Sequence, residues 1–132
     1  MSNGLLNGKR GLIMGLANDK SIAWGIAKAC ADAGAEMAFS YQGEALEKRV
    51  RPLISSIGCS EMIQCDVANE GSLDSLFDHL KATWGTIDFV VHAIGFSDKN
   101  ELRGRYVDTS AANFRMTMDI SVYSFTAVCA RA

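Results

Sequence analysis

Short apolar runs of strand character alternate strictly with helix-period segments along this chain, and no other feature constrains its fold as tightly. The runs are Lys9–Met14, Ala35–Tyr41, Glu61–Cys65 and Ile87–Ala93. Between them, Ser21–Ala33 carries Ile22, Ile26, Ala29 and Ala33 at helical spacing, and Glu44–Ser56 carries Leu46, Val50, Leu53 and Ile54 on one face. Glu70–Trp84 has the clearest apolar stripe, formed by Leu73, Leu76, Phe77, Leu80 and Trp84. Gly34 and Gly85 are placed to stop helices, and Pro52 is expected to kink or end the helix it sits in. A polar, irregular stretch, Ser97–Asp108, is long enough to be a functional loop. Thr109 or Ser110 then caps a last helix, which is apolar on more than one face from Phe114 through Val128.

Repeated strand–helix units predict a parallel sheet covered by helices on both faces, an α/β Rossmann-like, doubly wound fold in three α/β/α layers. Residues 1–132 then form one dinucleotide-binding domain, with more sheet expected beyond Ala132. Right-handed crossovers put the loops that follow the four strands along one edge, the carboxyl edge where ligands bind. The composition, 48% hydrophobic and 21% charged, is that of a globular domain, and a net charge of −2 with mixed signs gives no reason to propose nucleic acid. No run reaches the roughly 18 to 20 apolar residues of a membrane span, and Met1–Gly8 has no signal-peptide character. The four cysteines lack a C-x-x-C pair, which favours reduced, mostly buried thiols and a cytoplasmic location.

The strand–turn–helix from Lys9 to Asp32 is the candidate phosphate cradle, although the G-x-G-x-x-G spacing is absent. Gly15 can supply the tight turn off the first strand. Ser21 can cap the helix and offer its hydroxyl and the helix-start N–H groups to a pyrophosphate, while Gly25 would let the helix lie close on the sheet. The same residues would equally serve an ordinary glycine turn and serine cap. At the tip of the second strand, Tyr41-Gln42-Gly43-Glu44 holds no Arg for a 2′-phosphate, and the first basic residue, Lys48, lies a turn into the helix. That charge argument favours NADH over NADPH, with Gln42 able to bond ribose hydroxyls. Asp66 and Val67, at the end of the third strand, pair a carboxylate with an apolar side chain, as an adenine requires; an Asp there is also a common helix cap.

In order and spacing, G-x5-S-I-A-x-G-I-A, F-S-Y-Q, Q-C-D-V, V-H-A-I-G-F and D-I-S-V-Y-S-F resemble the bacterial NADH-dependent enoyl-acyl-carrier-protein reductases of the short-chain dehydrogenase/reductase superfamily. The resemblance covers essentially the whole chain. It implies that Gly15, Ser21 and Ile22 meet the pyrophosphate region, Gln42 the adenosine ribose, and Asp66 and Val67 the adenine. Ile94 and Gly95 would lie along the nicotinamide-proximal ribose, and Ser97 at the edge of the acyl site. It further implies hydride delivery to C3 of a trans-2-enoyl thioester carried on acyl carrier protein, in fatty-acid elongation, by a homotetramer.

The catalytic tyrosine and lysine of that family are expected beyond Ala132, so no catalytic residue is assigned within this chain, which is expected to be the N-terminal portion of a single-domain reductase. Tyr106 falls in the polar loop, Tyr123 has no Lys four residues on, and Ser121 stands where ordinary superfamily members place an Asn. The alternative reading is an NAD(H)-binding module or pseudoenzyme without chemistry. His79 reads as a solvated surface residue, His92 as a packed strand residue, and no cluster has zinc spacing. Lys99, Arg103 and Arg105 read as solvated loop charges ahead of a docking patch for an acidic carrier.

Overall fold

The computed structural model describes residues 4–132; Met1–Asn3, part of the polar N-terminal stretch, lie outside the described residues. Four parallel strands, β1 (Arg10–Met14), β2 (Glu36–Tyr41), β3 (Met62–Gln64) and β4 (Phe89–His92), form one sheet in the order β3-β2-β1-β4. The chain steps outward from β1 to β3, then returns to the other side of β1. The doubly wound switch therefore falls between the carboxyl ends of β1 and β4. The expected strand ranges are longer than β3 and β4 themselves, but flanking bonds continue both ladders. Phe39 N–H donates to the Glu61 carbonyl at 2.9 Å, Cys65 to Tyr41 at 2.8 Å, and Ala93 to Met14 at 3.0 Å.

Side-chain alternation along β1 builds two cores. On one face, Leu12 and Met14 pack with Ala38, with Leu73, Leu76 and Leu80 of α3 (Glu70–Trp84), and with Ala127 and Val128 of α5 (Ser124–Arg131). On the other, Ile13 packs with Met37, Phe39, Ala23, Trp24 and Ala27 of α1 (Ile22–Asp32), and Val50 and Ile54 of α2 (Glu44–Ser56). These are the three layers anticipated.

The contacting face of α1 differs from the expected one. Ile22 is 80% exposed and Ala29 is exposed, whereas Ala23, Trp24 and Ala27 are buried. The observed roll buries the large indole, and the two alanines permit the approach that Gly25 was expected to allow. A Cβ on Gly25 would meet open space. Pro52 does not end α2, which continues to Ser56. Lys48, whose carbonyl a proline four residues on cannot serve, is exposed, so water can take that bond.

The last helix is α4 (Ala111–Met118) joined to α5 by a π-helical turn, Asp119–Tyr123. Ser110, of the two candidate caps, accepts from Asn113 N–H at 3.1 Å. Phe114, Met118, Val122, Tyr123 and Phe125 remain exposed. Between β4 and α4, Ser97–Asp108 contains two short 3₁₀ turns, Lys99–Glu101 and Tyr106–Asp108. No helix among the described residues is long and apolar enough to cross a membrane.

Candidate functional site: a cleft at the carboxyl edge of the sheet

A cleft of about 480 Å³ opens at the switch point, walled by the residues that follow all four strands. Gly15, Gln42, Asp66, Val67, Ile94 and Gly95 all line it. Their convergence follows from topology, since each lies within three residues past the end of a parallel strand.

Gly15 is required by two independent facts. Its φ is +99°, and a Cβ would sit 1.9 Å from the Ala93 carbonyl oxygen. The chain leaves β1 pressed against the end of β4, and a side chain there would force the two strands apart. Gly95 is different. A Cβ would meet only Ser121 Oγ at 3.7 Å, so nothing in the chain's own packing demands a glycine. The space it leaves opens into the cleft, where a close-approaching ligand would use it.

Asp66 does not cap α3; Asn69 does, accepting from Ser72 N–H at 3.0 Å. Asp66 instead folds an Asx turn, its Oδ1 accepting from Ala68 N–H at 2.9 Å, and its own N–H donates to Ser72 Oγ at 2.9 Å. Among the described residues its Oδ2 has no hydrogen-bond partner, and that oxygen is available to a donor such as an exocyclic amine. Gln42 is exposed at the β2 tip. Beside it, Tyr41 donates to Glu47 Oε2 at 3.3 Å and Arg51 donates to Glu47 Oε1 at 2.6 Å. Burial, followed by the Glu47 carboxylate, raises the Tyr41 phenol; the bond from Arg51 lowers the Glu47 carboxyl. The cleft lining thus holds one carboxylate and no Lys or Arg, and Arg51, further along α2, is engaged by Glu47.

Three expected site residues stand apart from this cleft. Ser21 occupies the cap position of α1, but its side chain makes no cap bond. Its hydroxyl turns back and accepts from Ala17 N–H at 3.0 Å and Asn18 N–H at 3.1 Å, fixing the loop after β1. Five residues separate Gly15 from Ser21, and that loop needs its own N–H groups satisfied, so the hydroxyl serves the loop. Ile22 lies outside the lining and is largely exposed. Ser97 also lies outside it, in two neighbouring hollows, with its Oγ held by Asn113 Nδ2 at 3.2 Å and Thr117 Oγ1 at 2.9 Å.

The sequence reading missed further wall residues, among them Leu16, Ala17, Leu46, Cys65, Phe96 and Ile120. The first five flank named strand-end residues or sit one turn into α2, and strand-end position alone would have found most of them. Ile120 reaches the cleft from the π turn, for which the sequence carries no signal. Cys65 is buried beneath Asp66, and burial raises its thiol.

His92 is hydrogen-bonded within the fold, 2.7 Å from Ser124 Oγ and edge-on to Phe125. Because Ser124 donates its proton to the Ile120 carbonyl, His92 Nε2 must be the donor of that pair. His79 is partly exposed and pairs with Glu61. No group of three or more metal-ligating side chains gathers among the described residues. Arg105 is tied to Asp108, while Lys99 and Arg103 are exposed. All four cysteines are free thiols, with Cys65 buried, Cys30 and Cys59 half-buried and Cys129 exposed.

Comparison with known proteins places this geometry. A family model described as enoyl-(acyl carrier protein) reductase matches residues 15–132. The chain is 63% identical over 131 residues to enoyl-[acyl-carrier-protein] reductase [NADH] 1 of Rhizobium meliloti (strain 1021), covering 99% of this chain and 48% of that protein. It superposes on the crystal structure of FabI from Candidatus Liberibacter asiaticus with a TM-score of 0.96 and 57% identity, over 100% of this chain and 51% of the other. The enoyl-(acyl-carrier-protein) reductase of Anaplasma phagocytophilum, solved in complex with NAD, gives a TM-score of 0.96 at 54% identity, again over 100% and 51%. The chain spans about half the length of the curated relatives it matches. A switch-point cleft, a family match running from Gly15 to the last residue, and two superpositions across the whole chain agree: this chain belongs to the enoyl-(acyl carrier protein) reductase family.

Proposed function

We propose that the protein reduces trans-2-enoyl-acyl-carrier-protein with NADH in bacterial fatty-acid elongation, and that the carboxyl-edge cleft is where NADH binds. The observation that carries the cofactor reading is the composition of the cleft at its two ends. One end offers a carboxylate oxygen without a partner beside an apolar Val67, and the other offers a glycine whose missing side chain the chain itself does not need. The absence of Lys and Arg from the lining favours a cofactor without a 2′-phosphate. The relatives named for NADH, and the neighbour solved with NAD, support the same choice.

When bound, NADH supplies the hydride. The chain's own residues orient it. Asp66 Oδ2 would accept from the adenine amine while Val67 packs on the ring; Gln42 would bond the adenosine ribose. Gly15 and the loop braced by Ser21 would bring backbone N–H groups and the start of α1, with Ile22 beside it, to the pyrophosphate. Ile94 and Gly95 would lie along the second ribose. Ser97 would border the acyl site through the hollows it lines, not through the cleft. Residues 1–132 would act as the dinucleotide-binding portion of a single-domain reductase. The exposed face of Phe114, Met118, Val122 and Phe125 would pack against a second copy in a homotetramer, in the cytoplasm.

Turnover of a crotonyl thioester by the full-length protein, followed by loss of NADH absorbance, tests the proposal. Oxidation of NADH and not NADPH is expected. NADH binding without turnover would assign the chain to an NAD(H)-binding module, and use of NADPH alone would overturn the cofactor reading.

A further inference from the structure

Helix α4, the π turn and α5 face the segment after β4 with a row of small polar side chains, spaced at Asn113, Thr117, Ser121 and Ser124. They engage it in reverse order. Asn113 Oδ1 accepts from Asp98 N–H at 3.0 Å and its Nδ2 donates to Ser97 Oγ, to which Thr117 also donates. Ser121 accepts from Phe96 N–H at 2.9 Å and donates to the Phe96 carbonyl at 3.2 Å. Ser124 accepts from His92 within β4. The i→i+5 turn at Asp119–Tyr123 widens the helix where Ser121 projects, which keeps it in line with Thr117 one turn earlier.

One hydroxyl therefore holds both backbone groups of Phe96, as a neighbouring strand would. The two residues before it, Ile94 and Gly95, form no hydrogen bonds of their own among the described residues, and both line the cleft. Beyond the packing of the Ile94 side chain on the core, hydrogen bonds hold them from the two ends, by Ala93 N–H on the Met14 carbonyl and by Ser121 on Phe96.

We propose that Ser121 is a positioning residue for the nicotinamide half of the cofactor, acting through Phe96 to hold the Ile94–Gly95 wall. This rests on the reading of the cleft as the NADH site. Without the hydroxyl, the wall samples other arrangements. Affinity for any ligand that needs it falls by the fraction of time it is correctly placed. A ligand of the adenosine end alone does not sense the loss.

The test compares NADH and ADP binding to the full-length protein, by fluorescence and calorimetry, in wild type, Ser121→Ala and Ser121→Thr. Ser121→Ala is expected to weaken NADH about tenfold, as two bonds are lost. ADP should bind within about twofold of wild type, and Ser121→Thr should recover most of the NADH affinity. Should Ser121→Ala fail to fold, Ser121→Cys keeps the bulk with a weak hydrogen-bonding group and is expected to show the same selective loss. Unchanged NADH binding, or equal loss of both ligands, would overturn the proposal. Failure of wild type to bind NADH at all would instead overturn the cofactor reading, and this inference with it.

Discussion

Substituting Gly15 by alanine tests the geometry at the centre of the cleft. The new Cβ would lie 1.9 Å from the Ala93 oxygen and 2.6 Å from its carbon, both backbone atoms at the end of β4. Reaching even 3.0 Å requires a retreat of about 1.1 Å, and no side-chain rotation can supply it. That movement pulls on the 3.0 Å bond from Ala93 N–H to the Met14 carbonyl, which joins the same strand ends. Holding alanine at the positive φ costs about 1–2 kcal/mol, the forced displacement about 1–3, and the weakened bond about 1. The destabilisation should fall near 4 kcal/mol, a large share of the ~5–15 kcal/mol that holds a domain folded. Equilibrium urea unfolding of the full-length protein, read by circular dichroism, measures it. Gly25→Ala is the internal comparison. Its Cβ enters open space within α1, so it should stabilise by about 0.5–1 kcal/mol. A Gly15→Ala protein within 1 kcal/mol of wild type would refute the close approach of the β1 and β4 ends.

Leu76→Ala in α3, at a fully buried position of the core beneath β1, should cost about 2–5 kcal/mol, and Asn69→Ala about 1 kcal/mol through loss of its cap bond; denaturation midpoints distinguish them. The Glu47 carboxyl is lowered chiefly by the bond from Arg51. Its contribution is present above the ordinary value of 4.5 and lost as the pH falls through the lowered value in the folded state. Melting temperatures followed from pH 6 down to pH 3 should therefore drop less in Glu47→Gln than in wild type, and an equal drop would contradict the pairing. If the protein assembles as the proposed homotetramer, Phe114→Glu with Val122→Glu should shift the full-length protein to smaller species in sedimentation, while an unchanged mass would place the interface elsewhere.

Strand ends were legible in the sequence because two patterns reinforce each other there, apolar runs that stop and small or polar residues that follow. Gly15, Gln42, Asp66 and Val67 were found this way, Ile94 and Gly95 through the family resemblance, and the topology brings all of them to one cleft. The roll of α1 was not legible. Ile22, Ile26, Ala29 and Ala33 fit helical spacing as well as the observed Ala23, Trp24 and Ala27, and periodicity alone does not separate the two faces. Side-chain hydroxyls were the other gap. Ser21 was read as a helix cap and Ser97 as a ligand contact, yet each is occupied by partners that the chain supplies from 3 to 20 residues away. Spacing tells where a serine sits along an element, not which backbone group beside it lacks a partner. Ile120 and Ser121 reach the site through a π turn whose extra residue shows in no periodicity.

The most direct test of the central claim is a crystal structure of the full-length protein grown with NADH. The account predicts adenine between Asp66 and Val67, the pyrophosphate over Gly15 at the start of α1, and the nicotinamide ribose along Ile94 and Gly95. NADH bound away from this cleft, or with its adenine at the Gly95 end, would contradict it.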